Sequence, residues 1–236
     1  SEARADHLLA AAEAVKQASG GRLLAGAYVG YVIPTLTNSP PGSGQHSGHM
    51  AIGKVLASPH MDFTVSPHFY HQRRAGDAVV PMGATDSPRL HGKLWLNEFD
   101  SRTYLSPIGP KTFSQAETVQ VLRKEFVAAI TGDQGWWWLE FVGAPRGPKA
   151  ASWFADPVLL RDAATMRELY ERSLTLPRNT GSNAEVAIVF SAEQMYNTDA
   201  YSPANSVHSA LVNYLYMRMF RLGTPFDLYL QTDLPE

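Results

Sequence analysis

Two carboxylates two residues apart, Glu98 and Asp100, stand in the run Asn97-Glu-Phe-Asp-Ser-Arg102, directly after the apolar residues Leu94, Trp95 and Leu96. An apolar run that meets a charged cluster reads as a buried parallel strand whose carboxyl end carries the polar residues. In barrels of alternating strands and helices, that end is where catalytic side chains share a mouth. A carboxylate held ionised by hydrogen bonds and a nearby cation can act as a nucleophile, and Asn97, Arg102 and Tyr104 are the neighbours suited to that task. Side-chain alternation turns Glu98 and Asp100 the same way if the strand continues, and only one of them need be catalytic. The bland alternative is a solvated loop entrance.

Further candidates fall at the ends of neighbouring apolar runs. Tyr70, His71 and Arg73 follow Phe63-Thr-Val-Ser66, and a tyrosine beside a carboxylate can orient it and adjust its basicity; equally, Tyr70 could be packing and Arg73 a surface charge. His46 and His49 have the spacing of metal ligands on a helical turn, but no third ligand type accompanies them and the chain has no cysteine. A capping or sugar-contacting role is expected for them, and no metal. In Trp136-Trp-Trp138 one or two rings belong to the core, Trp137 first among them, while a ring facing the mouth is a platform for a sugar. Glu140, two residues beyond Trp138, is either a sugar-hydroxyl acceptor or a salt-bridge partner.

Composition narrows the class. The 236 residues carry a formal charge of -2 and 44% hydrophobic residues, which is ordinary for a folded globular chain. No basic stripe is available for nucleic acid or anionic lipid, so the expected partner is small and largely neutral. The start, Ser1-Glu-Ala-Arg-Ala-Asp6, lacks an initiator Met and a signal-peptide pattern, and no apolar run reaches the roughly 20 residues of a membrane span. A chain beginning partway through a longer protein is expected; its compartment is not determined by these residues.

The elements that must position these residues alternate. A helix over 3–18 stops at Gly20-Gly21; a strand runs from Leu23 to Val32, with Gly26 and Gly30 permitting close backbone approach. The Pro-, Gly- and Ser-dense loop from Pro34 to Gly48 is long enough to suggest function. A short helix over 49–56, the strand at Phe63, the strand over 92–98, a helix opened by the capping box Ser114-Gln-Ala-Glu117 and closed by Gly132, a strand from Gly135 to Val142, and a helix over 157–173 follow. Serial strand-helix units imply a parallel sheet with right-handed crossovers. A polar linker near 176–184 precedes a strand over 185–190, a helix over 206–222 with Leu211, Leu215 and Met219 on one face, and a strand over 226–230. This last part reads as the opening of a doubly wound α/β domain.

Taken together, Ala27-Tyr-Val-Gly-Tyr31, Gly48-His49, Asp62-Phe-Thr-Val-Ser-Pro67 with Tyr70 and Arg73, Asp86-Ser87, Lys93 to Thr103, Gly135-Trp-Trp-Trp138 and Trp153-Phe-Ala-Asp156 resemble the β-galactosidase-like glycoside hydrolases related to family 42, in the clan of retaining (β/α)8-barrel enzymes. The resemblance covers most of 23–160. It implies an α/β fold: residues 1–177 as the C-terminal half, strands 5 to 8, of a (β/α)8 TIM barrel, and 178–236 as the truncated start of a flavodoxin-like α/β accessory domain. It implies further that Glu98 is the nucleophile, that Tyr70 is its hydrogen-bond partner, and that Tyr31, His49, Arg73, Asp100, Arg102, Trp138 and Glu140 bind the carbohydrate substrate. The clan's acid/base, a Glu after Asn on the fourth strand, would then precede Ser1. Retaining hydrolysis needs two carboxyl groups about 5 to 5.5 Å apart, so the expected activity, hydrolysis of a β-glycoside with galactosides first, belongs to the intact parent, a homo-oligomer being compatible with it. No cofactor is expected. Open strand edges near 23 and 142 predict a chain that self-associates or folds marginally by itself. The rival reading is a non-catalytic carbohydrate-binding or scaffold barrel. An aldolase or isomerase acting on phosphorylated sugars fits less well, because a Gly-rich phosphate loop and a strand-end lysine are both missing.

Overall fold

The computed structural model describes residues 1–32, 48–109, 111–140, 152–177, 181–192 and 209–234. His46 and nearly all of the Pro34–Gly48 loop lie outside them. The fold is mixed α/β, as the alternation predicts. In chain order the elements are α1 (Glu2–Ser19), β1 (Gly26–Tyr28), α2 (Ile52–Ala57), β2 (Phe63–Pro67), α3 (Ser87–Leu90), β3 (Leu94–Phe99), α4 (Gln115–Thr131), β4 (Gly135–Trp138), α5 (Pro157–Ser173), β5 (Val186–Phe190), α6 (Met217–Met219) and β6 (Phe226–Leu230). Strands β1 to β4 form a parallel sheet in that order, with Gly26 opposite Phe63 and Tyr28 opposite Val65. Strands β5 and β6 form a second parallel pair, Val186 opposite Phe226 through Phe190 opposite Leu230.

The chain divides into two compact units. The first comprises Ser1–Tyr70, Val80–Leu96 and Ser182–Glu236; the second comprises His71–Val79 and Asn97–Gly181. In the first, α1 ends at Gly20, whose left-handed backbone (φ 59°, ψ 37°) lets the Gly21 amide close on the Lys16 carbonyl at 2.8 Å. Strand β1 is much shorter than the expected 23–32. The Ala25 amide is drawn to the Asp62 carboxylate (2.7 Å), and Gly30 turns the chain at φ 96°, so ladder pairing is confined to three residues. A Cβ on Gly26 would overlap the Phe63 ring, which is the close approach the glycine permits. The second sheet is held in this unit by side chains of α3 and its cap: Asp86 accepts from the Leu228 amide at 2.9 Å and Ser87 Oγ from the Leu230 amide at 2.8 Å. The helix expected over 206–222 is wound as a π-helix over Ser209–Tyr216 before the short α6. Its i→i+5 winding breaks the 3.6-residue stripe, leaving Leu211 and Leu215 exposed and burying Tyr216 and Met217.

In the second unit α4 and α5 pack over β4. Leu122, Phe126, Leu159 and Met166 form the cluster, with Trp136, Trp138, Tyr104 and Phe154 packed against it. The Ser114 cap is present, its Oγ accepting from the Glu117 amide at 3.1 Å, while the Glu117 side chain accepts from the amide of Phe113, one residue before the cap, at 2.6 Å and from Arg74 at 2.5 Å. At the other end the left-handed residue is Asp133 (φ 50°), not Gly132. Asp156 caps α5 by accepting from the Val158 amide at 2.6 Å. No helix among the described residues is long and apolar enough to cross a membrane.

Candidate active site

Strand β3 delivers Glu98 at its carboxyl end. Trp95, Asn97 and Phe99 are buried, whereas Leu94 is exposed and Leu96 half-buried, so Glu98 shares the more open face of the strand while being only 8% exposed itself. The chain beyond the strand is pinned residue by residue. The Leu139 amide donates to the Phe99 carbonyl at 2.8 Å, continuing the pairing of β3 with β4. Arg73 forms an ion pair with the Asp100 carboxylate and donates to its carbonyl at 3.2 Å. Arg73 and Asp100 are both largely buried, and a guanidinium-carboxylate pair with that little exposure fixes the rotamers of both side chains. The structure thus brings three expected residues, Glu98, Asp100 and Arg73, to one strand end.

Beneath that end lies a carboxyl group that the motif reading passed over. Glu125 of α4 is fully buried, accepts from Ser101 Oγ on one oxygen and, on the other, from the Trp138 indole N–H at 3.1 Å. Burial raises its pKa to about 7, against the opposing pull of Ser101, Lys124, Arg73 and Trp138. A signal was available: Leu122, Glu125, Phe126 and Ala129 follow helical spacing, which sets one charged residue on the buried stripe of α4.

Other expected residues have partners of their own. Trp138, expected at the sugar site, packs half-buried with Trp136 against the α4-α5 cluster, and its indole N–H donates to Glu125. Alternation along β4 then directs Trp137 to the face opposite that of Trp136 and Trp138. Glu140, expected as a sugar acceptor or salt-bridge partner, holds the turn into α5 by accepting from Ser152 Oγ at 2.6 Å and the Trp153 amide at 2.9 Å. Arg102, expected to support Glu98, donates to the Gly109 carbonyl, and its own carbonyl accepts from the Thr112 amide at 3.0 Å, so it organises the loop after β3. Tyr104 does keep a carboxylate ionised, but that of Asp156: its hydroxyl, then Gln115, draw the Asp156 pKa down to about 2. Asn97 donates to Gln134 Oε1 at 2.7 Å and to the Gly135 carbonyl at 3.4 Å.

The remaining candidates lie in the first unit. Tyr31 stacks on His49 with ring centroids 4.3 Å apart and planes 3° from parallel. Burial and the nearby Arg4 charge lower the His49 pKa to about 4, so the imidazole is neutral at pH 7. Tyr70 is 43% exposed, beyond the end of β2. A cavity of about 490 Å³ in this unit, bounded by Lys54, Phe190, Leu230 and Thr232, contains none of the candidates. Among the described residues no group of His, Asp and Glu could hold a metal ion. Compared with protein-family models, curated proteins and solved structures, the chain matches none.

Proposed function

We propose that the chain carries the nucleophile half of a retaining β-glycosidase, with β1 to β4 as the last four strands of a (β/α)8 barrel and β5-β6 as the start of a doubly wound domain. The observation that carries the reading is Glu98, a buried carboxylate at the carboxyl end of a parallel strand, followed at once by the Asp100-Arg73 pair. A Glu98 oxygen attacks the anomeric carbon of a β-galactoside, the bond to the leaving oxygen breaks, and a covalent glycosyl ester forms. Water then cleaves the ester and its proton passes to a base. On this reading a second carboxyl group protonates a poor leaving group. Arg73 engages the Asp100 carboxylate and holds it in place, which leaves Glu98 as the attacking group. Trp137, on the face opposite the helix cluster, is the ring that stacks on the sugar in place of Trp138.

A substrate whose leaving group departs as a stable anion needs no acid, so the chain itself can be tested. Mixing it with 2,4-dinitrophenyl β-galactoside is expected to release dinitrophenolate; Glu98→Gln abolishes release and Asp100→Asn only slows it. Release that survives Glu98→Gln at the original rate rejects the assignment.

A further inference from the structure

We propose that Glu125 is a positioning residue whose two carboxylate oxygens, one taking Ser101 Oγ and the other the Trp138 indole N–H, lock the strand end that carries Glu98 to strand β4 and helix α4. The proposal rests on the glycosidase reading for what the lock serves, and on geometry for the lock itself. Glu125 stands where a helix facing a sheet is normally apolar, and its two donors are the buried Ser101 and the half-buried Trp138. A single carboxylate between two donors, one just past the end of β3 and one on β4, holds those segments at a fixed separation, because each hydrogen bond tolerates only a few tenths of an ångström. Ser101 follows Asp100 directly and is 2% exposed, so a shift of Ser101 is passed to Asp100 and, across Phe99, to Glu98. Phe99 is fixed from the side by the Leu139 amide and Asp100 by Arg73; Glu125 completes the set from below.

The charges around Glu125 fit an anchor more than a reacting group. Lys124, its chain neighbour, donates its ammonium to the Arg74 carbonyl at 2.8 Å, and Arg73 is engaged by Asp100. Both cations lie near enough to favour the ionised form, and Arg74 is itself held by Glu117. On the side of α5, Asp162 is paired with Arg123 at 2.8 Å. Glu125 has no exposure to solvent through which a substrate could reach it, so it acts through Ser101 and Trp138. Attack by a carboxylate is sensitive to placement, and a misplacement of about 1 Å can cost roughly 100-fold in rate.

The test uses two readouts on the whole chain. The first is hydrogen exchange of the peptides covering 97–103 and 135–139, with those of α1 as an internal reference. The second is the rate at which 2,4-dinitrophenyl 2-deoxy-2-fluoro-β-galactoside esterifies Glu98, resolved into binding and inactivation constants. Glu125→Leu, which removes both acceptors, and Ser101→Ala, the milder change if the leucine variant does not fold, are expected to raise exchange in both peptides tenfold or more. They should slow inactivation about 10- to 100-fold with binding nearly unchanged. Glu125→Gln, which can still accept from Trp138 and meet Ser101, is expected to restore both. Unchanged exchange in the leucine and alanine variants overturns the lock whatever the labelling shows. Altered exchange with normal inactivation overturns its role in positioning Glu98. A wild-type chain that is never esterified overturns the glycosidase reading and, with it, the service to Glu98, while the exchange result still decides the lock.

Discussion

Replacing Glu125 with Gln is expected to make the chain more stable at neutral pH, although it removes a buried, doubly hydrogen-bonded side chain. The carboxyl moves from its ordinary 4.5 to about 7 on folding, chiefly through burial. A group with a raised folded pKa holds its proton when the unfolded chain has already released it, so its contribution is fully present below about pH 4.5 and is lost as pH rises to about 7. At about 1.4 kcal/mol per pKa unit, the loss is roughly 3 kcal/mol. An amide of the same shape never ionises and avoids that loss while still accepting from Trp138. For a chain of this size roughly 3 kcal/mol corresponds to about 6 to 12 °C in Tm. The assay is thermal unfolding followed by tryptophan emission from pH 4.5 to 8.5, since Trp136, Trp137, Trp138 and Trp153 all belong to the unit that contains Glu125. The two melting curves should meet near pH 4.5 and diverge above it, the variant melting higher. Curves that stay parallel across the range refute the reasoning, because the difference between variants isolates Glu125 from every other titrating group.

Three other outcomes follow from the structure. Asp156, held near pKa 2 by Tyr104 and Gln115, contributes stability present above the ordinary 3.8 and lost as pH falls toward 2, so Asp156→Asn should flatten the acid limb of the stability curve measured by urea titration at pH 2 to 5. Ser114→Ala, which removes the α4 cap, should cost about 1 kcal/mol in the same titration at pH 7. Trp137→Ala should weaken binding of the fluorinated galactoside with little change in stability, whereas Trp138→Ala should lower Tm by several degrees through loss of core packing and of the Glu125 partner; equal effects on binding at both positions contradict the assignment of Trp137 to the sugar.

Much of the local structure was legible because it depends on short-range patterns. The Gly20 stop, the Ser114 cap and the serial strand-helix units follow from periodicity and capping chemistry that neighbours in sequence determine. Glu98, Asp100 and Arg73 could be nominated because apolar runs ended in charge, and Arg73 was assigned to the same mouth as Glu98 by counting strands. What local pattern does not encode is which face a strand turns to its helices. Trp137 and Trp138 differ by one residue, and the position of Glu125, thirteen residues before Trp138 and on another element, marks which ring faces the helices. Tyr104, Arg102 and Glu140 were attached to the nearest carboxylate or substrate in sequence, whereas their partners Asp156, Gly109 and Ser152 are supplied by loops and a helix cap that no spacing rule foretells. The shortness of β1 has the same origin, since the Asp62 carboxylate that captures the Ala25 amide comes from a different segment.

The central claim is that Glu98 is the attacking carboxylate. Incubating the chain with 2,4-dinitrophenyl 2-deoxy-2-fluoro-β-galactoside, digesting it and sequencing the modified peptide by mass spectrometry tests this directly, because the fluorine slows hydrolysis of the ester and preserves the adduct. The account predicts one fluorodeoxygalactosyl group per chain, borne by Glu98 and absent from Glu98→Gln. An adduct on Asp100 or Glu125, or an unmodified chain after prolonged incubation, contradicts it.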